Sequence, residues 1–234
     1  MRAETDGGRR ASLRSFLESS PWGSRLAAPE FDQVVSTALE ETFERGAVLA
    51  AAGEIARYWI GVLRGLVVQS VSHADGCTSF ISAVGEGAWF GEGTLIKRAS
   101  WGYDAVALQE TRAVLVPLET FELLRETNIP FNHFLQVLMN ARLATYIGTI
   151  LTSRHASTET RVATALMNLL SSQDHDGPVH IRLSQSELAM LAGTSRQRVN
   201  DALKRMASHG LVRPKRHGVD VLNPDALRAV THAG

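Results

Sequence analysis

The chain has 234 residues, 44% of them hydrophobic, with 24 Lys/Arg balanced by 24 Asp/Glu. That length allows one large domain or two ordinary ones, and the composition excludes the intrinsically disordered class. The single cysteine, Cys77, excludes an internal disulfide, an iron–sulfur cluster and a Cys-rich zinc site, and fits a reducing cytosol. The opening residues MRAETDGGRRASLRS are polar and do not form a secretory signal. No apolar run approaches the ~20 residues needed to span a bilayer, so the expectation is a cytoplasmic protein with no membrane partner. The zero net charge conceals a split: residues 157–234 carry 10 Lys/Arg against 7 Asp/Glu, and the first 156 carry 14 against 17.

In chain order, residues 12–40 read as helical, with Pro21 and Pro29 marking turns. From 41 to 118 glycines recur, at Gly46, Gly53, Gly61, Gly65, Gly76, Gly85, Gly87, Gly91 and Gly93. The apolar runs between them, such as YWIGVL, LVVQSV and RAVLVP, are the length of short strands, which predicts an all-β barrel or sandwich. Asp75-Gly76 is a good hairpin turn, because both residues tolerate positive φ. A helix is expected over Leu118–Arg125. Thr127, Asn128 and Pro130 then mark the start of a longer one, of about 35 Å at ~1.5 Å per residue. Along it Phe134, Leu138, Ala141, Thr145, Gly148 and Thr152 follow 4-3-4-3-4 spacing and form one seam. Leu135, Val137, Leu143, Ile147 and Ile150 occupy other faces. A helix apolar on most sides is buried on most sides, and its place between two other segments favours a dimer interface over a plain core helix.

Residues 183–218 read LSQSELAMLAGTSRQRVNDALKRMASHGLVRPKRHG and carry the most specific signal. Ser184 to Glu187 is a capping box, with Leu188 and Leu191 on the inner stripe of the helix it opens. Gly193 supplies the left-handed turn that two closely joined helices need. Thr194 or Ser195 caps the second helix, whose inner face is Val199, Ala202, Leu203 and Met206. Between Arg196 and Arg216 there are seven basic residues and one acid, Asp201. Arg-rich helices of this form fit the DNA major groove, where Arg pairs with guanine and Gln or Asn with adenine. Ser195, Arg196, Gln197, Arg198, Asn200, Asp201 and Lys204 are therefore the candidate reading residues. If Thr194 is the cap, Gln197 is divided between closing a capping box and reading a base. The basic turn Arg213–Gly218 and the apolar residues on either side read as a two-stranded wing, with Lys215 and Arg216 on phosphate. An ordinary helical hairpin with a solvated basic face is the plainer alternative.

With these motifs the chain resembles the Crp/Fnr family of bacterial transcription regulators over nearly its whole length. The stretches FERGAVLAAAGEIARYWIGVLRGLVV, GEGAWFGEG and VALQETRAVLVPLETF are similar to the family's β-roll, and SQSELAMLAGTSRQRVNDALKRM to its recognition element. The resemblance implies an α+β chain with three parts. A β-roll (jelly-roll) effector-type domain covers residues 1–126, a dimerisation helix 127–156, and a winged helix-turn-helix domain 157–234. It also implies a homodimer on palindromic duplex DNA, with contact to RNA polymerase. Gly91 and Glu92 match the family's pocket motif. Members that bind cyclic AMP carry an Arg-Ser pair where this chain has Trp101 and Gly102. Tyr103 and Asp104 do not restore it, although Lys97 and Arg98 lie nearby. An anionic phosphate needs a cation, which an indole does not supply, so cyclic AMP is not expected as the effector. In the reading head, the family's Arg-Glu and following Arg become Arg196, Gln197 and Asp201, which implies an operator of its own.

The remaining polar residues are read more simply. His73 and Cys77 flank a hairpin tip, where solvation is commoner than ligation of haem or metal. The five histidines beyond residue 160 lack ligand spacing, so no cofactor and no metal is expected. Trp89, Phe90 and Trp101 are either core aromatics or walls of an effector pocket together with Gly91, Glu92 and Tyr103. A cupin-like enzyme would need clustered His and carboxylate ligands, and the β zone holds only His73. A protein-binding adaptor would leave the basic winged helix without a purpose. A regulator with a vestigial roll and no effector remains an alternative.

Overall fold

Among the described residues, the glycine-punctuated runs fold as eight short strands. The computed structural model describes residues 6–72, 78–152, 157–170 and 177–231. The strands are β1 (Leu39–Phe43), β2 (Val48–Ala50), β3 (Tyr58–Arg64), β4 (Val67–Ser72), β5 (Thr78–Val84), β6 (Trp89–Phe90), β7 (Asp104–Ala107) and β8 (Thr111–Pro117). They form two antiparallel sheets, in the orders β1-β8-β3-β6 and β2-β7-β4-β5. Most strands that follow one another in the chain belong to different sheets, which is the connectivity of the expected roll. Strands β4 and β5 pair with Ser72 opposite Thr78. The Asp75-Gly76 turn between them, with His73 and Cys77, lies outside the described residues.

Helices flank the roll as α1 (Asp6–Ser19), α2 (Ala28–Thr37), α3 (Glu92–Ile96), α4 (Leu118–Thr127) and α5 (Ile129–Thr152), with a short 3-10 turn at Gly23–Arg25. The expected helical stretch of 12–40 thus breaks near both prolines, and its last residues enter β1. The chain divides into two compact units, Met1–Arg142 and Leu143–Gly234; α5 begins in the first and ends in the second. Trp22, Trp59, Phe90, Phe121 and Phe131 are almost fully buried in the first unit. The Trp59 ring lies 4.3 Å from Trp89 and 5.1 Å from Trp22. Burying each such side chain contributes about 1.5–3 kcal/mol, so this aromatic cluster is the main apolar anchor between the first sheet and its helices. Arg112 and Ser12 both bond the Glu40 carboxylate, which fastens α1 to β1 and β8.

The second unit contains α6 (Thr158–Leu169), β9 (Val179–Ile181), α7 (Gln185–Leu191), α8 (Arg196–Ser208), β10 (Val212–Lys215), β11 (Gly218–Val221) and α9 (Pro224–Thr231). Its core joins Val162, Leu166, Leu188, Val199, Leu203, Met206, Val221 and Leu227. The wing is a three-stranded sheet, β10-β11-β9, where the sequence suggested two strands. Val179–Ile181 is too short to show a strand period. Among the described residues no helix is long and apolar enough to cross a membrane.

Candidate nucleic-acid interface and effector pocket

The helix-turn-helix is assembled from its caps. Ser184 Oγ accepts from the Glu187 amide at 3.1 Å, and Glu187 Oε2 accepts from the Ser184 amide at 2.6 Å. These two bonds form the reciprocal capping box that the spacing predicts. Gly193 takes φ +57° in the turn. Its carbonyl accepts from the Arg161 guanidinium on α6, a contact 32 residues distant in sequence that the sequence reading missed. Ser195 caps α8, with its Oγ accepting from the Arg198 amide at 3.3 Å. The third helical position is then Arg198, so Gln197 takes no part in a capping box.

Val199, Ala202, Leu203 and Met206 are buried, as the inner face of α8 requires. Arg196, Gln197, Arg198 and Lys204 are exposed, whereas Asn200 and Asp201 are half-buried. The four exposed side chains have no ion-pair or hydrogen-bond partner among the described residues. Asn200 Oδ1 accepts from Gln185 Nε2 at 3.5 Å, which ties it to α7. On the wing Arg216 is exposed, and Lys215 Nζ lies 3.5 Å from Asp220 Oδ2. The His180 hydrogen bond, aided by the charge of Lys215, holds the Asp220 carboxyl below the usual carboxylate range. A cationic surface with unsatisfied donors is what a phosphate backbone and base edges require.

The roll pocket contrasts with this. Gly91 has φ +99° and caps α3. A Cβ on Gly91 would lie 2.5 Å from Trp101 Cη2, so the indole covers the glycine backbone directly. Trp101 is 5% exposed and its ring lies 5.5 Å from Tyr103 and 6.1 Å from Phe90. The Tyr103 hydroxyl accepts from Gln69 Nε2 at 3.2 Å, and Ser82 Oγ donates to Gln69 Oε1 at 2.5 Å. Glu92 is buried, with Oε1 accepting from Arg142 Nη1 of α5 at 2.5 Å. Arg142 also donates to the Trp89 carbonyl. Glu92 Oε2 is buried without a hydrogen-bond partner. Arg142 was not singled out from sequence, since its partner is 50 residues away.

The structure thus brings Gly91, Glu92, Trp101 and Tyr103 into one region. A cavity of about 500 Å³, lined by Leu49, Ala50, Tyr58, Ile60, Trp101 and the exposed Arg57 among others, shares only Trp101 with them among the described residues. Arg98 is committed elsewhere, to Glu122. On α5, Phe134 and Leu138 pack partly against the roll's core, Thr145 is half-buried and Ala141 exposed, and the helix includes Gly148. Val137, Leu143 and Ile147 are exposed. Among the described residues no three His, Cys, Asp or Glu side chains gather as a metal site.

Comparison with known proteins covers both units. Residues 40–128 match the family of cyclic nucleotide-binding domains, and residues 160–230 that of Crp-like helix-turn-helix domains. A curated relative, the cyclic AMP receptor protein of Thermus thermophilus, is 28% identical over 197 residues, 84% of this chain and 90% of that one. The cAMP-activated global transcriptional regulator CRP of Haemophilus influenzae is 24% identical, over 78% of this chain and 92% of the relative. The solved structure of FixK2 from Bradyrhizobium japonicum superposes with a TM-score of 0.68 at 20% identity, over 84% of this chain and 98% of that one.

Proposed function

This chain belongs to the Crp/Fnr family of transcription regulators, and on that premise we propose that it binds a palindromic operator as a homodimer without cyclic AMP. The observation that carries the proposal is the contrast between a filled pocket and an open reading head. Relatives whose names state cyclic AMP binding or activation align with this chain over 90% and 92% of their own length. In this chain the Trp101 indole covers Gly91, and Arg142, beside the pocket motif, is held by Glu92. A cyclic phosphate at Gly91 would have to displace the Trp101 indole or take Arg142 from Glu92.

Arg196, Gln197, Arg198 and Lys204 are the proposed base and backbone contacts of α8, and Lys215 and Arg216 those of the wing. Ser195 contributes its cap, Asn200 a contact shared with Gln185, and Asp201 a limit on nearby phosphates. The exposed Val137, Leu143 and Ile147 support self-association through α5, with Ala141 beside them. Phe134 and Leu138 hold the start of the helix on the roll, and Thr145 and Gly148 are proposed to continue the seam. The regulator acts in the cytoplasm and contacts RNA polymerase, as its family implies.

Selection of bound sequences from a random duplex pool tests this reading. A palindrome with half-sites one helical turn apart, about 34 Å, is expected, and it should be recovered equally with and without cyclic AMP. Recovery of unpaired half-sites contradicts the dimer, and enrichment only with cyclic AMP contradicts the pocket.

A further inference from the structure

We propose that the outer face of the wing sheet is a proton-linked phosphate contact, in which protonated His180 takes over Asp220 and frees Lys215 for the DNA backbone. The inference rests on the duplex-binding reading above and adds a regulated surface to it. Strand register places Arg213, Asp220 and His180 directly opposite one another across β10, β11 and β9. Ile181, Val219, Val221 and Val212 point the other way and are buried. The outer face therefore carries His180, Arg213 and Lys215 around one acid, Asp220, with Arg182 two residues along from His180.

Each oxygen of Asp220 meets a different cation or potential cation. His180 Nδ1 is 2.7 Å from Oδ1, and Lys215 Nζ is 3.5 Å from Oδ2. The two partners are held differently. His180 is fixed by the strand ladder, and its ring lies against the Gly218 backbone, where an added Cβ would come within 2.7 Å of the ring. Lys215 is half exposed on a flexible stem, and its contact is longer than a strong charge-assisted bond. Both side chains are about half exposed, but the Lys215 contact is the longer and sits on the more flexible stem, so it is the one that gives way first.

With His180 neutral, Asp220 relies on Lys215 and the opposite Arg213 for its charge balance. Solvent protonation of the imidazole gives Asp220 a strand-held cation. Lys215 is then released to a phosphate oxygen, and the face gains one positive charge. Histidine changes charge between about pH 5 and 8, so duplex affinity should rise as pH falls through that window. By linkage, the complex should take up protons as it forms.

The test is fluorescence anisotropy of the full chain with a random-sequence duplex at fixed salt, at about pH 8 and about pH 6. Affinity should tighten roughly three- to tenfold at the lower pH. His180→Gln should remove most of that response. Asp220→Asn, in which Lys215 is already free, should respond less than the parent and should bind more tightly than the parent at the higher pH. His217→Gln and His209→Gln, which alter the other histidines of the wing tip and the end of α8, should keep the response. A parent that binds equally at both pH values overturns this inference. So does a response that survives His180→Gln, that is undiminished in Asp220→Asn, or that disappears with His217→Gln or His209→Gln. A parent that binds no duplex at either pH instead overturns the DNA-binding reading beneath it. Thermal melts of both wing variants confirm that folding is intact, and Asp220→Asn stands as the independent variant if His180→Gln melts early.

Discussion

The β-roll and the winged helix of this chain treat their polar groups in opposite ways. In the roll, the pocket motif is largely closed by the chain itself: Trp101 on Gly91, Arg142 on Glu92, and Tyr103 and Ser82 on Gln69; Glu92 Oε2 alone among these groups is buried without a hydrogen-bond partner. In the winged helix, Arg196, Arg198, Lys204 and Arg216 face solvent without an ion-pair partner among the described residues. Buried polar groups need internal partners, because leaving one unpaired costs about 1–3 kcal/mol or more. Exposed cations need none and remain available to an external anion. The difference teaches where an outside partner can bind with little disturbance: the reading head can accept one as it stands, whereas the pocket would first have to break its own contacts.

The largest effect should come from breaking the roll's closure. Trp101→Ala should lower the stability of the first unit by about 3–5 kcal/mol, as for other buried Trp truncations, read by thermal or denaturant melts. Arg142→Ala should cost about 3 kcal/mol, because it leaves Glu92 buried without its cation. Adding Glu92→Gln should recover part of that loss; a double variant no more stable than Arg142→Ala would place the cost elsewhere. At the open surface, Arg196→Ala should cost about 1–3 kcal/mol on the selected operator and relax base preference there. Equal loss on operator and random duplex would remove Arg196 from base reading. The smallest effect is expected for Lys215→Ala, which should weaken all duplexes alike and reduce the salt slope by roughly one. The Asp220 bond to His180 also sets a stability window. Because the folded carboxyl titrates below its ordinary value, its contribution is present above about pH 4 and fades as pH falls through the lowered value.

The winged helix was the more legible region. Its capping box, glycine turn and Arg-bearing first turn are local signals, readable within a few residues. Ser184, Gly193 and the buried face of α8 fall where that spacing requires. The contacts that fix the geometry between elements were not legible. Arg161 to Gly193, Arg142 to Glu92 and His180 to Asp220 join residues 32, 50 and 40 apart, and no sequence period links such pairs. The strand β9 is three residues long and shows no alternation. On α5, heptad spacing grouped Phe134 and Leu138 with Ala141. Spacing alone does not distinguish a side chain that meets its own core from one that meets a second copy, and the first two pack partly on the roll. In the pocket, the residue types at Trp101 and Gly102 signalled the missing phosphate cation, but only the fold shows the indole covering Gly91.

The central claim is that the reading head is open while the pocket is closed. It is tested most directly by titrating the full chain onto its selected operator, with and without cyclic AMP, and footprinting the complex. Protection of two half-sites one turn apart is expected, with the same affinity in both conditions. Protection of a single half-site, or affinity that depends on cyclic AMP, would contradict it.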